Sequence, residues 1–184
     1  IFSVLQIQSK EVLICRMIAD LLNPRGQHGA GAEYLKIFLK DCLGMEKMDT
    51  KLADQAIVTA EYAIDDERRI DIEIGSYFLP IEVKIYAADQ KSQCFDYYQY
   101  AKRRDAQAKV YYLTLDGHRP GKDSTSSGSQ SVPEEDIVCL SFRVHILNWL
   151  KACKNCGNTG MIPILEQFIH NIEQISGYTD RKST

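Results

Sequence analysis

Residues 69–86 read RIDIEIGSYFLPIEVKIY and carry three side chains, Asp71, Glu82 and Lys84, on a stretch otherwise built for burial. Ile70, Ile72 and Ile74 alternate with Arg69, Asp71 and Glu73. After Gly75-Ser76-Tyr77, a second alternation sets Leu79, Ile81, Val83 and Ile85 against Pro80, Glu82, Lys84 and Tyr86. Alternation of period two with β-branched residues predicts two half-buried strands, and the short break predicts a hairpin. With Ser76 and Tyr77 as the turn, Gly75 pairs with Phe78, Asp71 lies opposite Glu82, and Arg69 lies opposite Lys84. Side chains two apart share a face, so Asp71, Glu82 and Lys84 project from one side of the hairpin. Opposed like charges destabilise a strand pair. A divalent cation between the carboxylates removes that repulsion, and such hard oxygen ligands suit Mg²⁺ or Mn²⁺. A lysine next to the ion can orient or activate water and offset developing negative charge.

Asp71, a short hairpin and then Glu82-Val83-Lys84 resemble the PD-(D/E)XK nuclease superfamily, with Ile70 where that family places proline. The resemblance implies an α/β, restriction-endonuclease-like core: a mixed central β-sheet flanked by α-helices. It implies Asp71, Glu82 and the Val83 carbonyl as metal ligands, Lys84 as the catalytic lysine, and a glutamate on the first core helix facing the metal. Glu11 is the first candidate for that glutamate, and Glu33 competes with it. Gln93 and Tyr97, spaced Gln-x-x-x-Tyr after the E-x-K strand, resemble a RecB-like signature. In that setting Gln93 helps hold the active site and Tyr97 the nucleic-acid strand. The stretch LLNPRGQHGAG at 21–31, followed by an aromatic-rich helix, resembles a bacterial branch of the same superfamily. The implied activity is Mg²⁺- or Mn²⁺-dependent nuclease action on nucleic acid, DNA foremost.

Several elements must hold these residues in place. Ser9 to Asn23 reads as a first helix with Ile14, Met17, Ile18, Leu21 and Leu22 as its stripe, and Ser9 can cap it. There Glu11 is either a solvated first-turn residue or the site glutamate. A second helix carries Tyr34, Leu35, Phe38, Leu39, Cys42 and Leu43 and stops at Gly44. His28, in the loop between them, reads as structural. Residues 56–64 read as a strand whose Glu61 either joins the active face or pairs with Arg68 or Arg69. A helix spans 87–104, with Asp89 as a plausible N-cap. Residues 110–115 form a buried-type strand, 117–135 a mobile loop, and 137–142 another strand. Two further helices follow, one started by Ser141 or a neighbour, the other spanning Pro163 to Ser176.

At 184 residues and 45% hydrophobic content the chain reads as one globular domain. No apolar run approaches a membrane span and no signal-peptide pattern opens it. The six cysteines lie largely in apolar patterns, as reduced core thiols would, which points to the cytoplasm. Cys153 and Cys156 lack the second ligand pair of a zinc site. The net charge of −3 argues against a broadly basic coat. Nucleic-acid binding then requires a local patch, for which Lys91, Lys102, Arg103 and Arg104 are the candidates, with Tyr97, Tyr98 and Tyr100 to stack bases. Two rival readings compete: a catalytically inactive binding or interaction module on a nuclease fold, and a glycosidase using Asp71 and Glu82 as its carboxylate pair. Lys84 beside the carboxylates and a single tryptophan, Trp149, count against the glycosidase.

Overall fold

The computed structural model describes residues 2–156 and 158–177; the polar tail read after Gly177 lies outside them. Helix α1 (Phe2–Leu22) is followed by α2 (Glu33–Ile37), which continues in π-helical turns over Phe38–Cys42. A short helix α3 (Thr50–Asp54) then leads to β1 (Val58–Ala63), β2 (Arg69–Ile74) and β3 (Leu79–Lys84). Helix α4 (Gln93–Lys102) crosses to β4 (Val110–Thr114). After α5 (Lys122–Thr125) and the small hairpin β5–β6 (Ser126–Ser127, Gln130–Ser131) come β7 (Ile137–Ser141), α6 (Leu147–Lys154) and α7 (Ile162–Ser176). The larger sheet has the order β1-β2-β3-β4-β7. Its first three strands are antiparallel neighbours and its last two pairings are parallel, so the sheet is mixed as expected. Parallel β3 and β4 need a crossover, and α4 supplies it.

The β2–β3 register is Ile72–Ile81, Glu73–Pro80 and Ile74–Leu79, the one the sequence pattern requires. The turn itself is wider than the two-residue hairpin expected: the ladder ends at Ile74–Leu79, without the Gly75–Phe78 pair, and a 3₁₀ turn over Gly75–Tyr77 is followed by Phe78 at φ 47°. The alternation does not hold along all of β2. Ile72 and Ile74 pack with Ile18 and Leu22 of α1, whereas Ile70 packs with Cys94 and Tyr97 of α4. The cause lies next door. In β1, Glu61 takes φ 54°, a conformation that costs a non-glycine residue free energy, and its pairing with Asp71 is missing from an otherwise regular ladder. The two strands thus change faces at Glu61 and Asp71, and this bend frees the Asp71 carboxylate from a regular sheet position.

One face of the sheet packs against α1, α2, α6 and α7, with Trp149 fully buried and its Nε1 donating to the Tyr34 carbonyl at 2.8 Å. The other face is covered by α4 through Cys94, Phe95 and Tyr97. His28 is structural, as read. Its Nε2–H donates to the Asn23 carbonyl at 2.8 Å, while Nδ1 accepts from Ala30 N at 3.0 Å. Gly26 lies so close to this knot that a Cβ would fall 2.3 Å from the Asp20 carbonyl oxygen. All six cysteines are free thiols. No helix among the described residues is long and apolar enough to cross a membrane.

Four local expectations need correction. Ser9 does not cap α1, which already starts at Phe2. Helix α4 starts at Gln93 rather than at 87, and Ser92 at φ 58° precedes it. Asp89 is therefore not its cap; it accepts from the Tyr112 hydroxyl and from Gly121 N instead. The segment 117–135, expected as a mobile loop, holds α5 and the β5–β6 hairpin and is pinned to the approach to α4. Ser92 N donates to the Asp123 carbonyl, Ser92 Oγ to the Ser126 carbonyl, and Cys94 N to Ser124 Oγ.

Candidate active site

The regular β2–β3 ladder stops at Ile72–Ile81, one step before Asp71 and Glu82 would face each other. There Val83 N–H donates to Asp71 Oδ2 at 2.8 Å, so a side chain replaces a ladder partner. Glu82 is buried to 1% exposure, with Oε1 3.0 Å from Lys84 Nζ. Its Oε2 is buried without a hydrogen-bond partner. From the other side α1 brings Glu11, whose Oε2 accepts from the backbone N–H groups of Ile85, Tyr86 and Ala87 at 3.2, 2.9 and 3.3 Å. Glu11 therefore anchors the chain as it leaves β3, immediately after Lys84. Glu33 pairs with Lys36 at the surface and does not line this cleft, so only Glu11 of the two candidates reaches it.

Gln93 and Tyr97, one turn apart on α4, complete the far wall. The Tyr97 hydroxyl donates to the Arg69 carbonyl, which leaves its lone pairs to accept from Gln93 Nε2 at 3.1 Å. That relay fixes the amide: Nε2 is committed as donor, so Oε1 must point away as an acceptor, and it is buried with no partner. Two orphaned acceptors, Glu82 Oε2 and Gln93 Oε1, thus border one cleft of about 260 Å³, lined also by Glu11, Asp71, Lys84 and Arg69. Buried unpaired polar atoms cost folding free energy, so each asks for an external donor or cation.

The electrostatics agree with that demand. Burial first, and then the Asp71 charge, push the Glu82 carboxyl well above the usual carboxylate range. Burial likewise lifts Asp71, aided by Glu11 and opposed by the Val83 N–H, the Lys84 ammonium and a hydrogen bond shared with Glu82; the result is about 6. Burial draws the Lys84 ammonium down, but the Glu82 carboxylate and its hydrogen bond, with Asp71 and Glu11, outweigh it and leave Lys84 raised. The Cys15 thiol on α1 is held inert by burial and by the negative field of Asp71, Glu11, Glu82 and Glu61.

This has a measurable consequence for the metal-free protein. The folded pKa of Asp71 lies above its ordinary value of 3.8. The stability it contributes is thus fully present below that value and is lost as pH rises through about 6. Melting curves of wild type and Asp71→Asn without metal should diverge as pH increases across this window, the asparagine protein melting progressively higher by comparison. A constant difference across the window would contradict the raised pKa.

The other expected site residues are placed as follows. Tyr97 is fully buried, so its ring is closed to base stacking; its hydroxyl is engaged with Gln93 and the Arg69 carbonyl at the cleft wall. Glu61 pairs with Arg16 of α1 at 2.8 Å, not with Arg68 or Arg69. Lys91, Lys102, Arg103 and Arg104 do not line the cleft. Lys102 donates to the Ala106 carbonyl and lies 3.5 Å from Asp136, and the Arg104 guanidinium stacks 3.7 Å from the centre of the Tyr100 ring. The cations that do line the cleft are Arg68, Arg69 and Lys84. Arg68 is a clamp: Nε donates to Asp96 at 2.8 Å, one NH group to Gln90 Oε1 at 3.1 Å, and the other to the Lys91 carbonyl. It ties the β1–β2 turn to the start of α4, which carries Gln93. The available signal was its place, three residues before Asp71 and so at the same strand end.

The residues fit a hard divalent cation. Asp71 and Glu82 offer carboxylate oxygens, one of them orphaned, and the Val83 carbonyl is the main-chain oxygen between Glu82 and Lys84. Among the described residues no group of three or more His, Cys, Asp or Glu side chains is placed to hold a metal. The engagement of Glu11 Oε2 with three N–H groups accounts for the missing third acid. Two carboxylates, completed by water and substrate phosphate, are nonetheless a usual ligand set for Mg²⁺.

A family model for the PD-(D/E)XK nuclease superfamily matches residues 1–169. No curated protein and no solved structure matches the chain.

Proposed function

The chain belongs to the PD-(D/E)XK nuclease superfamily, and on that premise we propose that it is a metal-dependent nuclease hydrolysing phosphodiester bonds, DNA foremost, at the Asp71–Glu82–Lys84 cleft. The observation that carries the reading is the buried, partnerless Glu82 Oε2 beside Asp71 and Lys84. A structural Lys84–Glu82 ion pair alone would not need a second buried acid, Asp71, against the same carboxylate. Asp71, Glu82 and the Val83 carbonyl would hold Mg²⁺ or Mn²⁺, which supplies charge neutralisation on the phosphate and a more acidic water. The binding-module and glycosidase readings gain no support from this geometry: an inert module does not need the orphaned acceptor, and a glycosidase does not need the lysine bonded to its acid.

The chain's own residues divide the remaining work. Lys84 places a positive charge beside the reacting phosphate, where negative charge grows in the transition state. Gln93 Oε1, fixed as an acceptor by the Tyr97 relay, holds a proton of the attacking water and turns its lone pair toward phosphorus. Glu11 keeps the exit of β3, and with it Lys84, in place. Arg69 offers a cation at the mouth for a flanking phosphate.

Titrating Mn²⁺ into the protein while following its melting temperature tests the ligand set. A saturable rise in melting temperature is expected, because the ion binds only the folded state. No rise at millimolar concentration would remove the metal from the reading. The relay carries its own prediction. Tyr97→Phe frees the Gln93 amide to rotate, so single-turnover cleavage should slow by about tenfold with little change in KM. An unchanged rate would take Gln93 out of the chemistry.

A further inference from the structure

Between α1 and α7 runs a second concavity of about 310 Å³, lined by Leu13, Ile14 and Met17 on one side and Phe168 on the other, with Lys10 and Tyr86 at its end. It is not a separate feature of the surface. Tyr86 follows Lys84 by two residues, its N–H donates to Glu11 Oε2 at 2.9 Å, and its neighbour Ala87 lines the catalytic cleft. Lys10 and Glu11 are adjacent in α1. The groove and the cleft therefore share one wall, and a strand leaving the cleft past Ala87 meets Tyr86 next.

The chemistry of the groove is unlike that of the cleft. Its floor is apolar, and Tyr86 stands 42% exposed at the junction. Asn171 and Gln174, a turn apart on α7, place amides on its rim. An apolar recess cannot take a phosphate, but a flat π-face fits an aromatic ring and an apolar floor, and amides match the donor and acceptor edges of a base. Exposed Lys10 can follow the backbone phosphate outside. A base stacked within a duplex cannot enter a recess of this kind, whereas a splayed one can.

We propose that the α1–α7 groove is a nucleobase subsite in which Tyr86 stacks an unpaired base flanking the bond to be cut, so that the substrate is a single strand or an unpaired end. The proposal rests on the nuclease reading above. It is tested with Lys84→Ala protein in Mg²⁺, which keeps the metal ligands and cuts slowly. The probes are single-stranded DNA, single-stranded RNA and blunt duplex DNA carrying 2-aminopurine at successive positions. Single strands should bind more tightly than duplex, with fluorescence quenched at one position; the DNA and RNA arms tell which sugar is accepted. Adding Tyr86→Ala should abolish that quenching and raise Kd for single strands about tenfold. Its melting temperature should stay unchanged, because so much of the residue is exposed. Equal affinity for duplex, or indifference of both signals to Tyr86→Ala while wild type still cuts nucleic acid, overturns the subsite and leaves the nuclease reading standing. A dimer in solution that Leu13→Asp dissociates assigns the groove to a second copy and also overturns it. Absence of any cleavage by wild type and of any binding by Lys84→Ala overturns both together.

Discussion

Asp71→Asn should abolish cleavage while leaving the metal-free protein at least as stable as wild type. The two effects have one cause. Without metal, Asp71 and Glu82 are neighbouring buried acids: burial raises both, and the Asp71 charge raises Glu82 further. Asparagine keeps the shape, and its carbonyl oxygen can still accept from Val83 N–H, as Asp71 Oδ2 does at 2.8 Å. Its new amide N–H groups can donate to Glu82. With Asp71 held at about 6, above its ordinary 3.8, its ionised form penalises the fold at neutral pH, and the substitution removes that penalty. The same change deletes a ligand charge. The rise in melting temperature caused by Mn²⁺ should therefore largely vanish, and single-turnover cleavage should fall below detection. Should the variant be destabilised without metal yet keep the metal-induced rise, Asp71 would be a structural acid and not a ligand.

Lys84→Ala should separate binding of the ion from chemistry. Lys84 is not a ligand, so metal should still raise the melting temperature. The rate should fall by about 10²-fold or more, the usual effect of losing one charge placed where the transition state develops its own. KM should move little if Lys84 acts mainly in the transition state. Lys84→Arg is not expected to rescue. The guanidinium is larger and forked, and Lys84 is only 8% exposed against a Glu82 that is 1% exposed. A rate within a few-fold of wild type would make the Lys84–Glu82 pair a structural ion pair.

Much of this site was legible because its positions are set by local rules. The hairpin register follows from two alternating runs and a short turn, and the pairing Ile72–Ile81 is what counting gives. That Gln93 and Tyr97 share one helix face beside the E-x-K strand follows from helical spacing, whereas the burial of Tyr97, expected to stack a base, does not. Long-range and strained features were not legible. Nothing local announces that Glu61 takes φ 54° or that β1 and β2 change faces there, because the cause is tertiary. A Ser- and Gly-rich stretch such as 117–135 looks mobile until one sees Asp89, Ser92 and Cys94 holding it through hydrogen bonds. The Lys102–Arg104 run read as a phosphate track. Counting along α4 places it about 9 Å beyond Tyr97 at the 1.5 Å rise of a helix, and Lys102 and Arg104 are engaged with Asp136 and Tyr100. Charge runs reveal composition; only the fold shows which end of the helix meets the cleft.

The central claim is that the Asp71–Glu82–Lys84 cleft hydrolyses phosphodiester bonds with a divalent metal. The most direct measurement incubates end-labelled single- and double-stranded DNA and RNA with wild-type protein, in Mg²⁺, in Mn²⁺ and in excess chelator, beside Asp71→Asn prepared identically. The predicted result is cleavage of at least one substrate by wild type with metal, and none with chelator or with Asp71→Asn. Cleavage that survives chelation or the Asp71→Asn change, or intact substrates in every wild-type reaction, would contradict it.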